Sequence, residues 1–236
     1  MIFLIPINMP LIGNEEKDEV MKVLESSQLT NASIEGGYYT QKFQSSVKSF
    51  LNVKHVFAIN SGTSSLYAAL LSIGIKEGDE VLVPSFTFLA TANVVLLTGA
   101  KPVFVDIDMA HYTIDPNDLK NKISTRSKAV IPVHLFGHPA DMNKITEIAK
   151  KHDLRIIEDA SQSLGAKYHE RQTGSLSDIG CFSMYPSKII TSGEGGFVST
   201  NNDALAEKLK LIRNHGISQS SDVTVLGSNL RLPQME

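Results

Sequence analysis

The sequence predicts an α/β fold of three layers, α/β/α, built on a mainly parallel sheet, and three observations carry the prediction. Short apolar runs recur at residues 56–59, 81–83, 103–105, 129–133, 154–157 and 179–183. Helical stretches separate most of the earlier runs. The runs are also near-continuously apolar, as strands are when helices cover both faces of a sheet. Right-handed crossovers in such a sheet bring the functional loops to the carboxyl ends of the strands, where Asp106, Asp159 and the loop after Asn60 fall.

The elements follow in order. Asn14 is placed to cap a helix running to about Ser26, with Val20, Val23 and Leu24 on one face. Residues 29–37 are rich in Thr, Asn, Ser and Gly and read as a loop. Beyond them Phe43, Val47, Phe50 and Leu51 fall at i, i+4, i+7 and i+8 of a second amphipathic helix. Residues 1–50 are thus expected as a helical segment packing on a large domain of residues 51–236. Asp141 caps a helix over 142–152 with Ile145, Ile148 and Ala149 inward, and Asn202 caps another over 203–214.

Composition narrows the function classes. The net charge is −3, and lysines and arginines are spread without a block, which argues against nucleic acid or an anionic membrane as partner. The single cysteine, Cys181, excludes an internal disulfide, fits a reducing compartment and reads as a buried strand position. The apolar opening at residues 1–5 lacks a basic start and is cut by Pro6, so neither a signal sequence nor a membrane span is expected. A cytoplasmic location is expected. His134 and His138 lack a third clustered ligand, and no metal is expected.

Four stretches carry chemistry. Residues 60–65 (NSGTSS) end a strand and open a helix. Amides at a helix N-terminus with small residues and the hydroxyls of Ser61 and Thr63 suit a phosphate, and equally suit a simple N-cap. At residues 156–162 (IIEDASQ) a carboxylate leaves a strand end. Asp159 can face a cationic partner or cap the segment from Ala160, and Glu158 can claim the solvent-facing role as well. Phe86 and Phe88, just past another strand, can cover a flat ring or fill the core. Lys188 stands between Ser183-Met184-Tyr185-Pro186 and the glycines at 193, 195 and 196, braced on one side and free to bend on the other. In a crowded, partly apolar site its neutral amine is a nucleophile toward carbonyls; on an open loop it is only a solvated charge.

Taken together, these stretches make the chain resemble the DegT/DnrJ/StrS sugar aminotransferases, pyridoxal-phosphate enzymes of the aspartate-aminotransferase fold class. The resemblance spans nearly the whole chain: residues 60–63 (NSGT), 78–88 (GDEVLVPSFTF), 99–106 (GAKPVFVD), 132–137 (PVHLFG), 158–162 (EDASQ), the lysine segment, 213–216 (RNHG) and 227–231 (GSNLR). It implies that Lys188 forms the internal aldimine and later carries the proton between cofactor and substrate carbons. It implies that Asp159 pairs with the pyridine nitrogen, that Phe88 stacks on the ring and that Gln162 bonds its phenolic oxygen. Ser61, Gly62, Thr63 and Ser183 are implied to hold the phosphate. Asn229 is implied to reach the phosphate of a neighbouring subunit, in a homodimer with shared active sites.

The chain departs from the family at Ile189, where asparagine is common, and at Tyr185, where other members carry a different aromatic or a histidine. A branch that dehydrates sugars has histidine in place of the lysine, so Lys188 favours amino transfer. The implied activity moves an amino group, typically from glutamate, to a nucleotide-linked keto-sugar used in polysaccharide or natural-product assembly. Two alternatives stand beside it: another pyridoxal-phosphate reaction such as dehydration or epimerisation, and a regulatory protein, although no helix-turn-helix or basic face is visible. Pro233 suits the first residue of a helix that the sequence does not complete. The chain is therefore expected to be a large cofactor domain lacking a small C-terminal domain, with frayed final residues.

Overall fold

Alternation along the strands explains the architecture. In the computed structural model, which describes residues 8–218 and 220–235, β1 (His55–Ile59) sends Phe57 and Ile59 into one core cluster and Val56 and Ala58 into another. β2 (Glu80–Pro84) divides Val81 and Val83 from Leu82, and β5 (Arg155–Asp159) divides Ile157 from Ile156. Side chains of a strand alternate between faces, so both faces here are apolar and both need helices. The other members of the sheet are β3 (Lys101–Val105), β4 (Ser127–Val130), β8 (Ile179–Ser183) and β9 (Gly196–Thr200). A separate antiparallel hairpin joins β6 (Lys167–Tyr168) to β7 (Arg171–Gln172).

The seven-stranded sheet has the order β1-β9-β8-β5-β4-β2-β3. β3, β2, β4, β5 and β8 run parallel, and β9 runs antiparallel to both β1 and β8. One face carries α3 (Gly62–Ser72), α4 (Ala90–Leu97) and α7 (Asp203–Arg213), through Leu66, Leu70, Val94, Leu209 and Ile212. The other carries α5 (Pro116–Lys122) and α6 (Met142–Lys151), through Leu119 and Ile145, and α2 (Tyr38–Leu51), through Val47 and Leu51. The mainly parallel three-layer sheet predicted from the sequence is the fold observed. No helix among the described residues is long and apolar enough to cross a membrane.

Several local expectations are corrected. α1 (Asn14–Ser26) begins at Asn14 itself; its cap is Gly13, whose N–H donates to the Glu16 carboxylate at 2.6 Å. A glutamate in the first turn thus accepts the N–H of the cap residue, whereas a capping Asn14 would have accepted an amide of the first turn. On α1 only Val23 is buried, whereas Val20 and Leu24 are exposed. On α2, Phe50 sits at the edge of the apolar stripe and is exposed. Over the described residues 233–235 there is a turn and no helix: Gln234 is buried, donating its N–H to Leu29 O at 3.0 Å and its side-chain amide to Gln28 O at 2.6 Å. The apolar opening at 1–5 and Glu236 lie outside the described residues.

Candidate functional site

The carboxyl ends of β1, β8 and β5 gather most of the residues singled out by the sequence. Ser61 is the extended N-cap of α3; its Oγ accepts from Ser64 N–H at 3.0 Å and donates to Ser64 Oγ at 2.9 Å. Gly62 follows, buried, and a Cβ there would lie 2.6 Å from Ser183 Cβ at the end of β8. Only glycine lets α3 start this close to β8. The cap satisfies the amide of Ser64 and leaves those of Gly62 and Thr63, the first of the helix, without an intrahelical acceptor. Thr63 is exposed at this end.

Asp159 ends β5 with its carboxylate buried. Its Oδ1 accepts from Ser161 N–H at 3.2 Å, so it does turn the chain locally, as one sequence reading had it. Its Oδ2 accepts from Thr91 Oγ1 of α4 at 3.0 Å. Among the described residues no basic side chain pairs with it. A buried carboxylate without a counter-charge is costly, and suits a cationic group supplied by a ligand.

Glu158 is corrected outright. It is fully buried and accepts from His134 Nε2 at 2.9 Å, from the N–H groups of Gly174, Leu176 and Ser177 at 2.7, 2.8 and 2.9 Å, and from Ser177 Oγ at 2.9 Å. β5 is central and covered on both faces, so neither neighbour in the pair reaches solvent. His134 Nδ1 accepts from Ala140 N–H at 3.1 Å, which places the ring proton on Nε2, toward Glu158. Its backbone N–H donates to Asp159 O at 3.1 Å. In the 3-10 turn that follows (Leu135–Gly137), Phe136 N–H donates to Gln162 Oε1 at 2.8 Å. Gln162 therefore has its carbonyl occupied and its amide nitrogen free to donate.

Lys188 lies in the loop that joins the antiparallel strands β8 and β9. The base of the loop is closed by Met184 N–H to Gly195 O at 2.8 Å and Ser192 N–H to Met184 O at 3.1 Å, and Lys188 N–H donates to Tyr185 O at 2.8 Å. Gly195 has φ 158°, a conformation that L side chains rarely adopt, and a Cβ there would meet Met184 and Ser192. Lys188 is half-buried, and it forms no ion pair among the described residues.

Two residues stand further out. Phe88 is 69% exposed, on the segment between β2 and α4. Asn229 is exposed too, but its backbone O accepts from Asn60 Nδ2 at 3.3 Å, next to Ser61. Sequence reasoning missed Thr91, Thr87 and the Glu158–His134 pair; the Thr87-to-Thr91 spacing of one helical turn was the visible signal for the first two. Cys181, paired with Asp159 across the sheet, has its thiol pushed well up by burial and then by the Asp159 and Glu158 charges, so it is an inert core residue.

A sheet whose carboxyl edge presents a helix N-terminus, a lysine loop and a lone buried carboxylate is an α/β ligand-binding domain of the kind that holds a phosphate ester. The sequence profile of the DegT/DnrJ/EryC1/StrS aminotransferase family matches residues 10–236, and the chain belongs to that family. It is 38% identical over 234 residues to GDP-perosamine synthase of Caulobacter vibrioides, covering 98% of this chain and 62% of that protein. It is 45% identical over 209 residues to a UDP-N-acetyl-3-dehydro-alpha-D-glucosamine 3-aminotransferase of Acidithiobacillus ferrooxidans, covering 88% and 57%. The crystal structure of S. venezuelae DesV in complex with a ketimine intermediate superposes with a TM-score of 0.89 at 38% identity, covering 94% of this chain and 59% of that one. The chain thus spans about three-fifths of the length of the relatives it matches.

Proposed function

We propose that this chain is the pyridoxal-phosphate domain of an aminotransferase that moves an amino group, from glutamate, to a nucleotide-linked keto-sugar in polysaccharide or natural-product assembly. The observation that carries the reading is the buried carboxylate of Asp159, without a basic partner among the described residues, together with a helix N-terminus packed on Ser183 with no room for a Cβ. Those features fit the cofactor's cationic ring nitrogen and its phosphate. The names of the sugar-aminotransferase relatives support the substrate class.

In this reading the amides of Gly62 and Thr63 and the hydroxyls of Ser61, Thr63 and Ser183 hold the phosphate. Asp159 takes the ring nitrogen and keeps it protonated, Gln162 donates its free amide N–H to the phenolic oxygen, and Phe88 covers the ring. The bound cofactor supplies an electron sink for the carbon that loses a proton. Lys188 Nζ is the covalent anchor and the base that takes and returns that proton. Residues 51–236 form the cofactor domain, with residues 1–50 as the helical segment on it. The protein works in the cytoplasm as a homodimer in which Asn229 reaches the partner's phosphate.

One experiment tests both the anchor and the sharing. Borohydride treatment of protein loaded with pyridoxal phosphate is expected to fix the cofactor covalently on Lys188, and the visible absorption band is expected to vanish in Lys188→Ala. Asn229→Ala is expected to bind the cofactor more weakly, and verified heterodimers of the two variants to regain one full-affinity site. Label on another lysine would refute the anchor; heterodimers with no recovered site would refute the sharing.

A further inference from the structure

We propose that Thr91 is a positioning residue whose buried hydroxyl fixes Oδ2 of Asp159 and, through Thr87, ties the segment bearing Phe88 to that carboxylate. The inference rests on the reading of Asp159 as the partner of a cationic ring nitrogen. It adds a residue to that site which is remote from it in sequence.

The direction of each bond follows from counting protons. Asp159 is an acceptor when ionised, so the Thr91 hydroxyl donates to Oδ2 at 3.0 Å. A threonine has one hydroxyl proton. The Thr91 oxygen can then only accept from Thr87, whose Oγ1 lies 2.9 Å away. The relay therefore runs from Thr87 to Thr91 to Asp159. A threonine in a helix ordinarily satisfies its hydroxyl on the carbonyl one turn back. Thr91 instead donates to a side chain 68 residues further on, and nothing in α4 requires that.

Its surroundings sharpen the point. Thr91 has no exposed surface, and its helix neighbours Val94 and Val95 are buried in the main core cluster. Valine has the shape of threonine and would fill the position without a polar group to satisfy. The hydroxyl is there for Asp159. It holds Oδ2 while Ser161 N–H holds Oδ1, so the carboxylate cannot rotate. Meanwhile Thr91 N–H donates to Phe88 O at 3.1 Å, and Thr87 stands directly before Phe88. The ring-covering side chain and the ring-nitrogen partner are thereby set by one pair of hydroxyls.

The test uses pyridoxal phosphate as probe on Thr91→Val, Thr91→Ser, Thr87→Val and Asp159→Asn. Two quantities are read: the dissociation constant of the cofactor and the ring-nitrogen NMR shift of isotope-labelled cofactor bound to each protein. Thr91→Val is expected to move the shift toward that of the neutral ring and to weaken binding about tenfold. Thr91→Ser, which keeps the hydroxyl, is expected to retain the wild-type shift. Thr87→Val is expected to weaken binding with little change of shift. If Thr91→Val does not fold, Thr91→Ala enters the same comparison. A wild-type shift in the hydroxyl-free variant, or a serine variant that behaves like valine, overturns the proposal. Asp159→Asn separates the two levels: if it leaves the shift unmoved, the reading of Asp159 fails; if it moves the shift and Thr91→Val does not, only the role of Thr91 fails.

Discussion

Glu158 and Asp159 are adjacent carboxylates with opposite tasks, and hydrogen bonding separates them. Glu158 receives five donors and anchors His134 and the segment from Gly174 to Ser177. Asp159 receives two and keeps capacity for a ligand. Glu158→Gln is expected to destabilise the fold by about 3 kcal/mol, because the new amide sets an N–H against the donors of His134 or Gly174 and removes charge-assisted bonds. Urea midpoints check this, and an unchanged midpoint would show that the network contributes nothing. The sequence displayed Lys188, Asp159, Gln162 and Ser61 because each sits in a short run with a local signature. It did not separate Glu158 from Asp159, since the partners that decide burial lie 16 to 24 residues away. The Thr87-to-Thr91 spacing was in view, but the bond from Thr91 to Asp159 was invisible for the same reason, its acceptor being 68 residues off.

At the scale of the element, α6 and α7 were legible with their caps, while α5, capped by Asp115, and the strand β9 were not. Asp141 and Asn202 cap α6 and α7 from adjacent sequence, as local rules require. β9 begins with glycine and ends in Ser199 and Thr200, whose hydroxyls donate to Gly174 O at 2.5 Å and Asp178 O at 2.7 Å. Polar strand residues satisfied by distant carbonyls leave no apolar run to read. Yet β9 decides the site, since its antiparallel course turns the Lys188 segment into a closed loop. A second polar anchor holds the start of β2. Glu80 is buried and accepts from Ser124 Oγ at 2.5 Å and Arg126 at 2.6 Å, with Lys101 at 3.9 Å. The Ser124 bond, then Arg126 and Lys101, hold its carboxyl below the usual range against the opposing effect of burial. A depressed folded pKa gives stability that is complete above the unfolded value, near 4.3, and is lost as pH falls through the folded value. Glu80→Gln is therefore expected to cost about 1–2 kcal/mol at neutral pH. The difference from wild type should shrink as the pH is taken below about 4. Denaturant curves at both pH values check it; a difference that persists at low pH would assign the effect to packing.

Across the whole molecule, residues from the far end of the chain fasten residues 28–37 to the sheet. Arg213, 2% exposed on α7, donates to Ile34 O at 2.7 Å, Gln44 Oε1 at 2.7 Å and Ala58 O at 3.2 Å. Asn214 Nδ2 donates to Ala32 O at 3.2 Å, and Tyr39 N–H donates to Gln234 Oε1 at 3.2 Å. The sequence marked residues 29–37 as a loop from composition but could not show what holds it, because the contact to Ile34 spans 179 residues. Arg213 has no carboxylate at bonding distance among the described residues. Burial, with Arg231 adding and Glu35 opposing, brings its pKa down to about 10, so it is still charged at neutral pH. Two effects therefore compete in Arg213→Met: relief of a desolvated charge, and loss of the donor to buried Ala58 O and to the part-buried Ile34 O and Gln44 Oε1. The acceptors decide, because Ile34 O, Ala58 O and Gln44 stay in place when the guanidinium leaves. The variant is expected to lose about 2–3 kcal/mol and to show faster hydrogen exchange at residues 29–37 than in the sheet. A variant as stable as wild type, with unchanged exchange in that loop, would mean that relief of the buried charge outweighs the lost hydrogen bonds and that Arg213 is not the clamp.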